Sequence, residues 1–585
     1  MRNQTPRPEY PRPQWVRADW QNLNGAWEFE IDHGLSGLER GLHQGKLFAG
    51  TITVPFCPES ELSGIGHKDF MAGVWYRRAF SLPQNWQGKR ILLHFGAVDY
   101  AATVWINGQL AGRHLGGYAS FTLEITPYLI PGQNTLTVFA ADDTRSPLQP
   151  TGKQSDRYES YECFYTRTTG IWQTVWLEAV PATYLRRPRY FTDPNQGSLT
   201  VHIGVDGPSD GLTLRAAVSV EGSIVCETET AINANGQCAF TLTIPNPRLW
   251  APGNPFLYDL TFTLKQGDQA VTDRIIDQAQ SYFGLRDVRI AGKRVLINNH
   301  SVFQRLILDQ GFYPDGIYTA PSDEALRRDI ELSMAMGFNG ARLHQKVFEE
   351  RFLYWADRLG YLVWGEFPNW GIDTAHPQAL ERFLPEWVEV VERDFNHPAL
   401  IGWCPFNETP TRQNPELLRA VYRITKTLDP TRPVIDTSGY VHVETDIYDC
   451  HNYEQDPARF AQTYELFKLT GEDAWRNFPQ HDAPYQGQPY FVSEYGGIWW
   501  NPGQADDKSW GYGNRPRSAE EFLARYKALT ETLLFNPNMF GFCYTQLTDV
   551  EQEVNGLYTY QRKPKFDPAI IRQINAQQAA IEEST

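Results

Sequence analysis

The chain has 585 residues, of which 14% are aromatic, and its formal net charge is −16 at pH 7. A chain of this length can hold three or four domains with well-formed cores. No basic cluster offsets the negative charge, so the phosphate backbone would repel this surface and we expect no nucleic-acid partner. No apolar window approaches the roughly 18 residues of a membrane-spanning helix, so we expect no membrane partner either.

The seven cysteines indicate a reducing compartment. They are widely spaced, odd in number and form no Cys-x-x-Cys pair, which argues against a disulfide framework or a zinc site. Cys226 and Cys238 are close enough in sequence to leave one local disulfide open. Residues 1–6 contain no apolar stretch of the kind found in secretory signals. We therefore predict a soluble cytoplasmic protein, with the periplasm left open if this N-terminus is truncated.

Residues 1–183 form the first predicted domain, which is rich in short strands. The β-like runs include residues 51–54, 90–95 and 102–106, with turn residues between them. The last of these runs leads into Asn107-Gly108, the strongest short signal for a hairpin turn. Because no helical pattern interrupts the runs, we predict a jelly-roll sandwich.

Residues 184–285 form the second predicted domain. Its β-like runs are evenly spaced and lie at residues 199–203, 214–220, 239–244 and 258–264. About 100 residues of such strands are typical of an immunoglobulin-like sandwich.

After residue 285, strand-like runs alternate with helical patterns, which is the signature of βα units and a parallel sheet. The predicted strands are 301–308, 340–344, 361–366, 400–408, 433–436, 446–453, 490–494 and 539–545. The predicted helices lie between Ser322 and Gly337 and at 348–359, 380–395, 415–428 and 519–534. Eight strands in about 300 residues predict a (β/α)8 TIM barrel over residues 286–585. The predicted fold class is therefore multidomain, with two β domains before an α/β domain.

Two of the predicted strands end in a carboxylate, Glu408 after strand four and Glu494 after strand seven. Catalytic groups of such barrels lie at the C-terminal ends of the strands, so we expect these two to face each other across the mouth. A protonated carboxyl beside an ionised one can cleave a glycosidic bond. A separation of about 5–5.5 Å favours retention and a wider one inversion, and the sequence leaves the distance open. The alternative is a pair of ordinary strand-end acids in salt bridges.

Motifs around these carboxylates resemble those of glycoside hydrolase family 2, which includes β-galactosidases, β-glucuronidases and β-mannosidases. Phe406-Asn407-Glu408 is similar to the acid/base motif of the family, and Ser493-Glu494-Tyr495-Gly496 is similar to its nucleophile motif. Residues 20–29 resemble its opening strand, and residues 104–108 and 170–176 resemble its sugar-binding domain. The resemblance covers nearly the whole chain and implies that residues 1–183 form a sugar-binding-like domain.

The resemblance also implies roles for individual residues. Glu408 would be the acid/base and Glu494 the nucleophile of a retaining, exo-acting β-glycosidase. Arg342 would keep Glu494 ionised, Tyr453 would donate a hydrogen bond to it, and Asn407 would bind the sugar 2-OH. The other substrate-binding candidates are His344, Glu366, Trp370 and Tyr544. Each has an ordinary alternative as an ion pair, a cap or a core side chain. This mechanism requires no metal, and we expect no cofactor.

Substrate identity rests on departures from the family pattern. The family often has Arg-x-Ser-His after strand two, whereas this chain has Arg342-Leu343-His344-Gln345, which leaves the sugar contact of the histidine open. β-Glucuronidases carry an Asn-x-Lys after strand eight, and the matching segment here is Glu553-Val554-Asn555. Because Glu551 and Glu553 would repel a uronate, we predict a β-galactosidase-like glycoside hydrolase acting on a neutral β-galactoside.

Two other functions stay open. A β-glucuronidase, another uronidase or an arabinosidase of the same family is the nearer alternative. A non-catalytic carbohydrate-binding protein belongs to another class, and the intact Asn407, Glu408 and Glu494 argue against it. A carbohydrate is the expected partner in every case. Family members are often oligomers, so the resemblance leaves a homo-oligomer open.

Overall fold

The computed structural model describes residues 5–267, 274–501 and 508–582. The first part of the chain folds into a sandwich of two antiparallel sheets with a shared apolar core. One sheet has the strand order Trp20–Asn22, Val175–Val180, Arg90–Phe95 and Phe121–Glu124. The other has the order Gly50–Val54, Gly25–Ile31, Gly73–Ser81, Gln133–Ala141, Ala101–Ile106 and Gln109–Leu115. A short pair, Val98–Asp99 with Gly170–Ile171, lies beside them.

The hairpin turn predicted at Asn107-Gly108 is confirmed. Asn107 and Gly108 connect two paired strands with φ angles of 51° and 79°. Positive φ at both central residues is the geometry of the turn that suits the twist of a hairpin. The Asn107 side chain also accepts a hydrogen bond from the Thr135 backbone N–H at 2.9 Å, which holds the turn against the next strand.

A second antiparallel sandwich follows. In its first sheet, Ser198–Asp206 pairs with Tyr184–Leu185, Arg189–Asp193 and Gln237–Thr243. Its second sheet has the order Ser223–Ala231, Leu212–Val220, Tyr258–Gln266 and Arg274–Phe283. Smaller strands are Trp250–Ala251 with Asn254–Pro255, and Val288–Ala291, Arg294–Ile297 and His300–Ser301. Cys226 and Cys238, whose spacing left a disulfide open, are both free thiols.

The last part of the chain is a curled parallel sheet surrounded by helices. Its strands are β1 (Gln304–Asp309), β2 (Gly340–Leu343), β3 (Leu362–Glu366), β4 (Leu400–Cys404), β5 (Thr437–Ser438), β6 (Tyr448–Asn452), β7 (Tyr490–Gly496) and β8 (Met539–Thr545). Seven of them pair in the order β4-β3-β2-β1-β8-β7-β6, and β5 pairs with Phe406–Asn407, which continues β4. The carboxyl ends of all eight strands therefore lie at one end of the sheet.

The fifth strand is shorter than predicted and begins later in the chain. Only Val434 bridges to β4 before the strand itself at Thr437–Ser438. Pro433 has no N–H to donate to a neighbouring strand. The Val434 N–H is taken by the Asp446 carboxylate at 2.9 Å, and Asp436 accepts from three later backbone N–H groups. Side chains thus satisfy the backbone donors of Val434 and Thr437, which a longer strand could have used.

Seven α-helices accompany the parallel strands in the described residues. They are α1 (Asp323–Ala335), α2 (Glu350–Leu359), α3 (Ala379–Asp394), α4 (Pro415–Leu428), α5 (Pro457–Thr470), α6 (Ala519–Leu534) and α7 (Pro568–Asn575). The predicted cap of α1 is confirmed, since the Ser322 side chain accepts from the Ala325 N–H. Neither α5 nor α7 was among the predicted helices. None of the described helices is both long enough and apolar enough to cross a bilayer.

The N-terminal sandwich packs closely on the barrel. The buried rings of Tyr118, Tyr165 and Trp172 belong to the same apolar core as the barrel strands. The Glu386 carboxylate of α3 accepts hydrogen bonds from the backbone N–H of Tyr118 at 2.6 Å and of Ala119 at 3.1 Å. A loop of the N-terminal domain, residues 149–169, also contacts segments that follow barrel strands, since the Thr151 and Gly152 N–H groups donate to the Trp370 carbonyl and the Tyr165 hydroxyl donates to Glu553.

Candidate active site

The carboxyl ends of the barrel strands gather most of the side chains selected from the sequence. Arg342 belongs to β2, Glu366 to β3, and Glu494 to β7. His344, Glu408 and Tyr453 directly follow β2, the extension of β4 and β6. Strands that end at the same edge of a curled sheet bring these distant parts of the sequence together.

Glu494 is held by donors on both oxygens. The Arg342 guanidinium donates to Oε1 at 3.1 Å, and the Tyr453 hydroxyl donates to Oε2 at 2.6 Å. His451 Nδ1 lies 3.4 Å from Oε2, and His344 Nδ1 lies 3.8 Å from Oε1.

These neighbours set the ionisation of Glu494. Burial alone would raise the pKa of its carboxyl. The charges of His451 and Arg342 and the hydrogen bond from Tyr453 outweigh burial and hold that pKa well below its usual range, whereas burial lowers the pKa of His344 and favours its neutral form. An ionised, buried carboxylate of this kind is suited to act as a nucleophile.

Arg342 holds several side chains of the site in place. It is 1% exposed, and besides Glu494 it donates to the Ser493 carbonyl at 2.7 Å, to Glu366 at 2.7 Å and to the Asn407 side-chain oxygen at 3.0 Å. Because Glu366 balances part of its charge, Arg342 stays paired without relying on Glu494 alone. A buried guanidinium paired in this way fixes the positions of all its partners.

Glu408 stands at a sharp turn with a left-handed backbone, φ 50°. Its N–H donates to the Ser438 carbonyl at 2.9 Å, which ties the turn to β5. Its side chain is 16% exposed against 5% for that of Glu494, so Glu408 is the more accessible to water. His451 Nδ1 lies 2.7 Å from Glu408 Oε1.

His451 lies between the two carboxylates. Burial alone would lower the pKa of its imidazole, but Glu494 and Glu408 raise that pKa above its ordinary value. One ligand atom from each of Glu408, His451 and Glu494 lies within 4.8 Å of the others. Among the described residues, this is the one group of acidic and imidazole ligands close enough to hold a metal ion. The same spacing leaves the two carboxylates near the separation typical of a retaining pair, about 5–5.5 Å.

The remaining predicted residues differ in where they point. Asn407 is 1% exposed, and its side-chain N–H₂ has no partner in the structure. Trp370 donates from its indole N–H to the Asn407 carbonyl at 3.3 Å. Tyr544 does not join them, because its ring packs between Tyr495 and Tyr526, outside the ring of strands. Side chains alternate along a strand, so its neighbour Thr545 faces the site instead, 3.0 Å from the Tyr453 hydroxyl.

The sequence selection missed three side chains at this site. His451 is two residues before Tyr453, so the alternation of the strand gave a signal for it. Tyr512 stacks on Tyr453 with ring centroids 3.5 Å apart and an interplanar angle of 2°, and it lies in a loop with no local pattern. Lys153 comes from the N-terminal domain, and its Nζ lies 4.0 Å from the centroid of the Trp370 ring. No pattern near the carboxylates could have indicated a residue from another domain.

The two acids after β8 face the N-terminal domain. Glu551 accepts from the Thr166 backbone N–H at 3.2 Å. Glu553 is 2% exposed, and it accepts from the Tyr165 hydroxyl and from the Asn555 side chain, the latter at 2.8 Å. Burial raises the pKa of Glu553, although Lys153 opposes the rise. Glu553 therefore carries less negative charge at a given pH than a free glutamate does.

Family models match three segments of the chain. "Glycosyl hydrolases family 2, sugar binding domain" matches residues 65–181, "Glycosyl hydrolases family 2" matches residues 187–286, and "Glycosyl hydrolases family 2, TIM barrel domain" matches residues 319–579. Two β domains before a TIM barrel confirm the predicted fold class.

Individual relatives agree with these models. The chain is 24% identical to a beta-glucuronidase of Paenibacillus borealis over 94% of this chain and 96% of the relative. It is 26% identical to a beta-galactosidase of Thermoanaerobacter pseudethanolicus, over 71% of this chain and 53% of the relative. The structure of Bifidobacterium dentium beta-glucuronidase complexed with coumarin-3-O-glucuronide superposes with a TM-score of 0.81 and 21% identity, covering 97% of this chain and 98% of that one. The chain therefore belongs to glycoside hydrolase family 2 and is a retaining β-glycosidase.

Proposed function

We propose that the protein is an exo-acting β-glycosidase that removes a terminal β-D-glucuronic acid residue by double displacement. The observation that carries the chemistry is the pair Glu408 and Glu494, whose nearest ligand atoms lie within 4.8 Å at the mouth of the barrel. At that distance one carboxylate can attack the anomeric carbon while the other reaches the leaving oxygen.

In the first step, Glu494 attacks the anomeric carbon and the bond from that carbon to the leaving oxygen breaks. Glu408 gives its proton to the leaving oxygen, so the aglycone departs as an alcohol. In the second step, the ionised Glu408 takes a proton from water, the water oxygen bonds to the anomeric carbon, and Glu494 is released. Two inversions restore the β configuration.

The surroundings of each carboxyl support these roles. Glu494 is buried among positive charges, which keep it ionised and ready to attack. Glu408 is more exposed and can exchange its proton with water and with the leaving oxygen. His451 Nδ1 lies 2.7 Å from Glu408, so the imidazole can interact with both carboxylates as their charges change during the cycle.

Asn407 supports a contact with the glycone. A buried side-chain amide with unpaired N–H groups carries a desolvation cost, which a substrate hydroxyl would remove. The neighbouring Arg342 holds the Asn407 oxygen and so directs its N–H₂ group away from that contact. The sugar 2-OH is the expected acceptor, because contacts to it strengthen in the transition state.

The choice of glucuronide rests on the relatives and on Glu553. The relative that matches 94% of this chain is a beta-glucuronidase, and so is a relative from Felis catus that matches 72% of it. The repulsion of a uronate expected from the sequence assumes a free, ionised Glu553. Burial weakens that objection, since it raises the pKa of this carboxyl against the opposing effects of Lys153 and the two hydrogen-bond donors.

A neutral β-galactoside is the second candidate. It is favoured by Glu553-Val554-Asn555 standing where an Asn-x-Lys is expected in β-glucuronidases, and by the partial similarity to a beta-galactosidase. A buried carboxylate is a good partner for the hydroxyls of a neutral sugar.

A panel of p-nitrophenyl glycosides tests both candidates. It contains the β-D-glucuronide, β-D-galacturonide, β-D-galactoside, β-D-glucoside and α-L-arabinofuranoside. We expect the highest kcat/KM on the β-D-glucuronide, and a preference for the galactoside would overturn this choice.

The chemistry is tested separately with Glu494→Gln, for which we expect a loss of about 10⁴-fold or more on the best substrate of the panel. The exposed Glu465 of α5 gives a matched control, Glu465→Gln, which should keep wild-type rates. A 2-deoxy-2-fluoro glycoside of the preferred sugar should label Glu494, as read by peptide mass spectrometry. Sugar binding without labelling or turnover would instead indicate a non-catalytic carbohydrate-binding protein.

A further inference from the structure

Lys153 is a buried lysine that the N-terminal domain presents to the barrel. It is 5% exposed, and its carbonyl accepts from the Tyr165 backbone N–H at 2.8 Å. The two residues before it, Thr151 and Gly152, donate from their backbone N–H groups to the Trp370 carbonyl at 2.7 and 3.1 Å. The backbone that carries Lys153 is therefore fixed to the loop that follows β3.

The side chain of Lys153 reaches the candidate active site. Its Nζ lies 4.0 Å from the centroid of the Trp370 ring, and that ring donates to the carbonyl of Asn407, the residue before Glu408. Burial alone would lower the pKa of Lys153, but the Cys163 thiol and the acids Glu553, Glu494 and Glu408 raise it above its ordinary value. The ammonium is therefore charged at neutral pH.

No carboxylate of the described residues forms an ion pair with Lys153, in contrast to the other cations around the site. Arg342 is paired with Glu366 at 2.7 Å and with Glu494 at 3.1 Å. Lys565, which follows β8, is paired with Asp549 at 2.6 Å and donates to the Trp500 carbonyl at 2.6 Å. Lys153 is thus the cation of this site whose charge is left for another partner.

The nearby acids keep the Lys153 ammonium charged, but none of them lies within ion-pair distance, so a carboxylate brought by the substrate would be its first direct ionic partner. We propose that Lys153 holds the C5 carboxylate of a β-uronide, an inference that rests on the proposed function. The segment Glu553-Val554-Asn555 supplies no cation after β8, so the positive charge comes from the N-terminal domain instead. Specificity for the carboxylate and the chemistry of the bond cleavage then lie in different domains.

The face of Trp370 prepares Lys153 for this contact. An aromatic face attracts the ammonium and orients it while leaving its N–H groups free to donate. Glu553, hydrogen-bonded by Tyr165 and Asn555, is the carboxyl whose charge acts most strongly on Lys153. Its raised pKa lets it take up a proton when a second carboxylate approaches.

The test compares two substrates that differ only at C5, p-nitrophenyl β-D-glucuronide and p-nitrophenyl β-D-glucoside. For Lys153→Met we expect kcat/KM on the glucuronide to fall by about 30-fold or more, through a higher KM, since a charge-assisted hydrogen bond is lost. On the glucoside we expect a change of less than about 3-fold. Lys153→Arg keeps the charge and should recover part of the loss. The exposed Lys563, also after β8, gives the matched control Lys563→Met.

Each outcome decides one of the two proposals. If the wild type cleaves no uronide in the panel, the proposed glycone fails and the role of Lys153 fails with it. If the wild type cleaves the glucuronide and Lys153→Met does so equally well, the glycone stands and the role of Lys153 is overturned. If Lys153→Met, with an unchanged melting temperature, loses both substrates equally, Lys153 orients the catalytic carboxyls rather than selecting the substrate. The p-nitrophenyl β-D-galacturonide shows whether the C4 configuration matters beyond the carboxylate.

Discussion

Removing one hydroxyl from Tyr453 tests how the protein holds Glu494. The Tyr453 hydroxyl donates to Glu494 at 2.6 Å, and its ring stacks on Tyr512 at 3.5 Å. Tyr453→Phe deletes the hydrogen bond and keeps the stacked ring. A hydrogen bond to a charged group contributes about 1.5–3 kcal/mol, which corresponds to about 10- to 150-fold in a rate constant. We expect kcat/KM to fall within that range.

Tyr453→Phe should also shift the pH dependence of kcat/KM. The hydrogen bond from Tyr453 favours the ionised form of Glu494, so it helps to hold the pKa of that carboxyl low. Without it, the pKa of Glu494 rises, and the acid limb of the kcat/KM profile moves to higher pH. A hydrogen-bond contribution of about 1.5–3 kcal/mol corresponds to a rise of about one to two units in the pKa of Glu494.

The assay is steady-state hydrolysis of the best aryl glycoside from the lowest pH at which the protein stays folded up to about pH 8, with melting temperatures measured over the same range. Tyr512→Phe is the matched control, because it keeps the stack and removes no donor from Glu494. It should stay within about 3-fold of the wild type. A Tyr453→Phe enzyme with wild-type kcat/KM and an unmoved acid limb would show that Arg342 and the two histidines suffice to keep Glu494 ionised.

Three further changes test other parts of the site and its support. Glu408→Ala should lower kcat by about 10²- to 10⁴-fold on aryl glycosides with poor leaving groups and far less with good ones, and azide should restore turnover by forming a β-glycosyl azide. Asn407→Ala should lower kcat/KM by about 100-fold on the normal substrate but change it little on the 2-deoxy analogue. The losses caused by the mutation and by the missing 2-OH should therefore not add up. Burial raises the pKa of Glu386 to about 7. A raised folded-state pKa means that its contribution to stability is present below about pH 4.5 and is lost, by about 3 kcal/mol, as the pH rises through about 7. Glu386→Gln should therefore show a flatter melting temperature between pH 5 and 8 than the wild type, and parallel curves would contradict this.

The sequence predicted the parts of the fold that depend on local patterns. Alternating apolar residues and Asn107-Gly108 were enough for the first sandwich, and the change to βα units was enough for the barrel. The fifth strand was misplaced because Asp436 and Asp446 take its backbone donors, and such side-chain contacts have no periodic signature. Helix α5 begins at Pro457 after the capping Asp456, a start signal that the prediction did not use.

The site residues at strand ends could be predicted from the sequence. Those brought to the site by the packing of loops and domains could not. Glu408, Glu494, Arg342 and Tyr453 lie together because parallel strands place their carboxyl ends at one edge. Tyr544 was selected by its position in β8, but alternation points its ring away from the site. Lys153 lies some 340 residues before Glu494 in the chain, and only the docking of two domains brings it near. A single sequence contains no local signal for such a contact.

The left-handed backbone of Glu408 has a consequence for attempts to stabilise this enzyme. A non-glycine residue with φ near 50° costs on the order of 1–2 kcal/mol, and Gln345 next to the site has the same geometry, with φ 49°. Replacing either residue with glycine would release that strain, and the fold would gain stability while the proposed acid/base side chain or its neighbour was lost. A directed-evolution campaign that selects for heat resistance alone would therefore tend to remove activity, so thermostable variants of this chain should be screened for turnover in the same round.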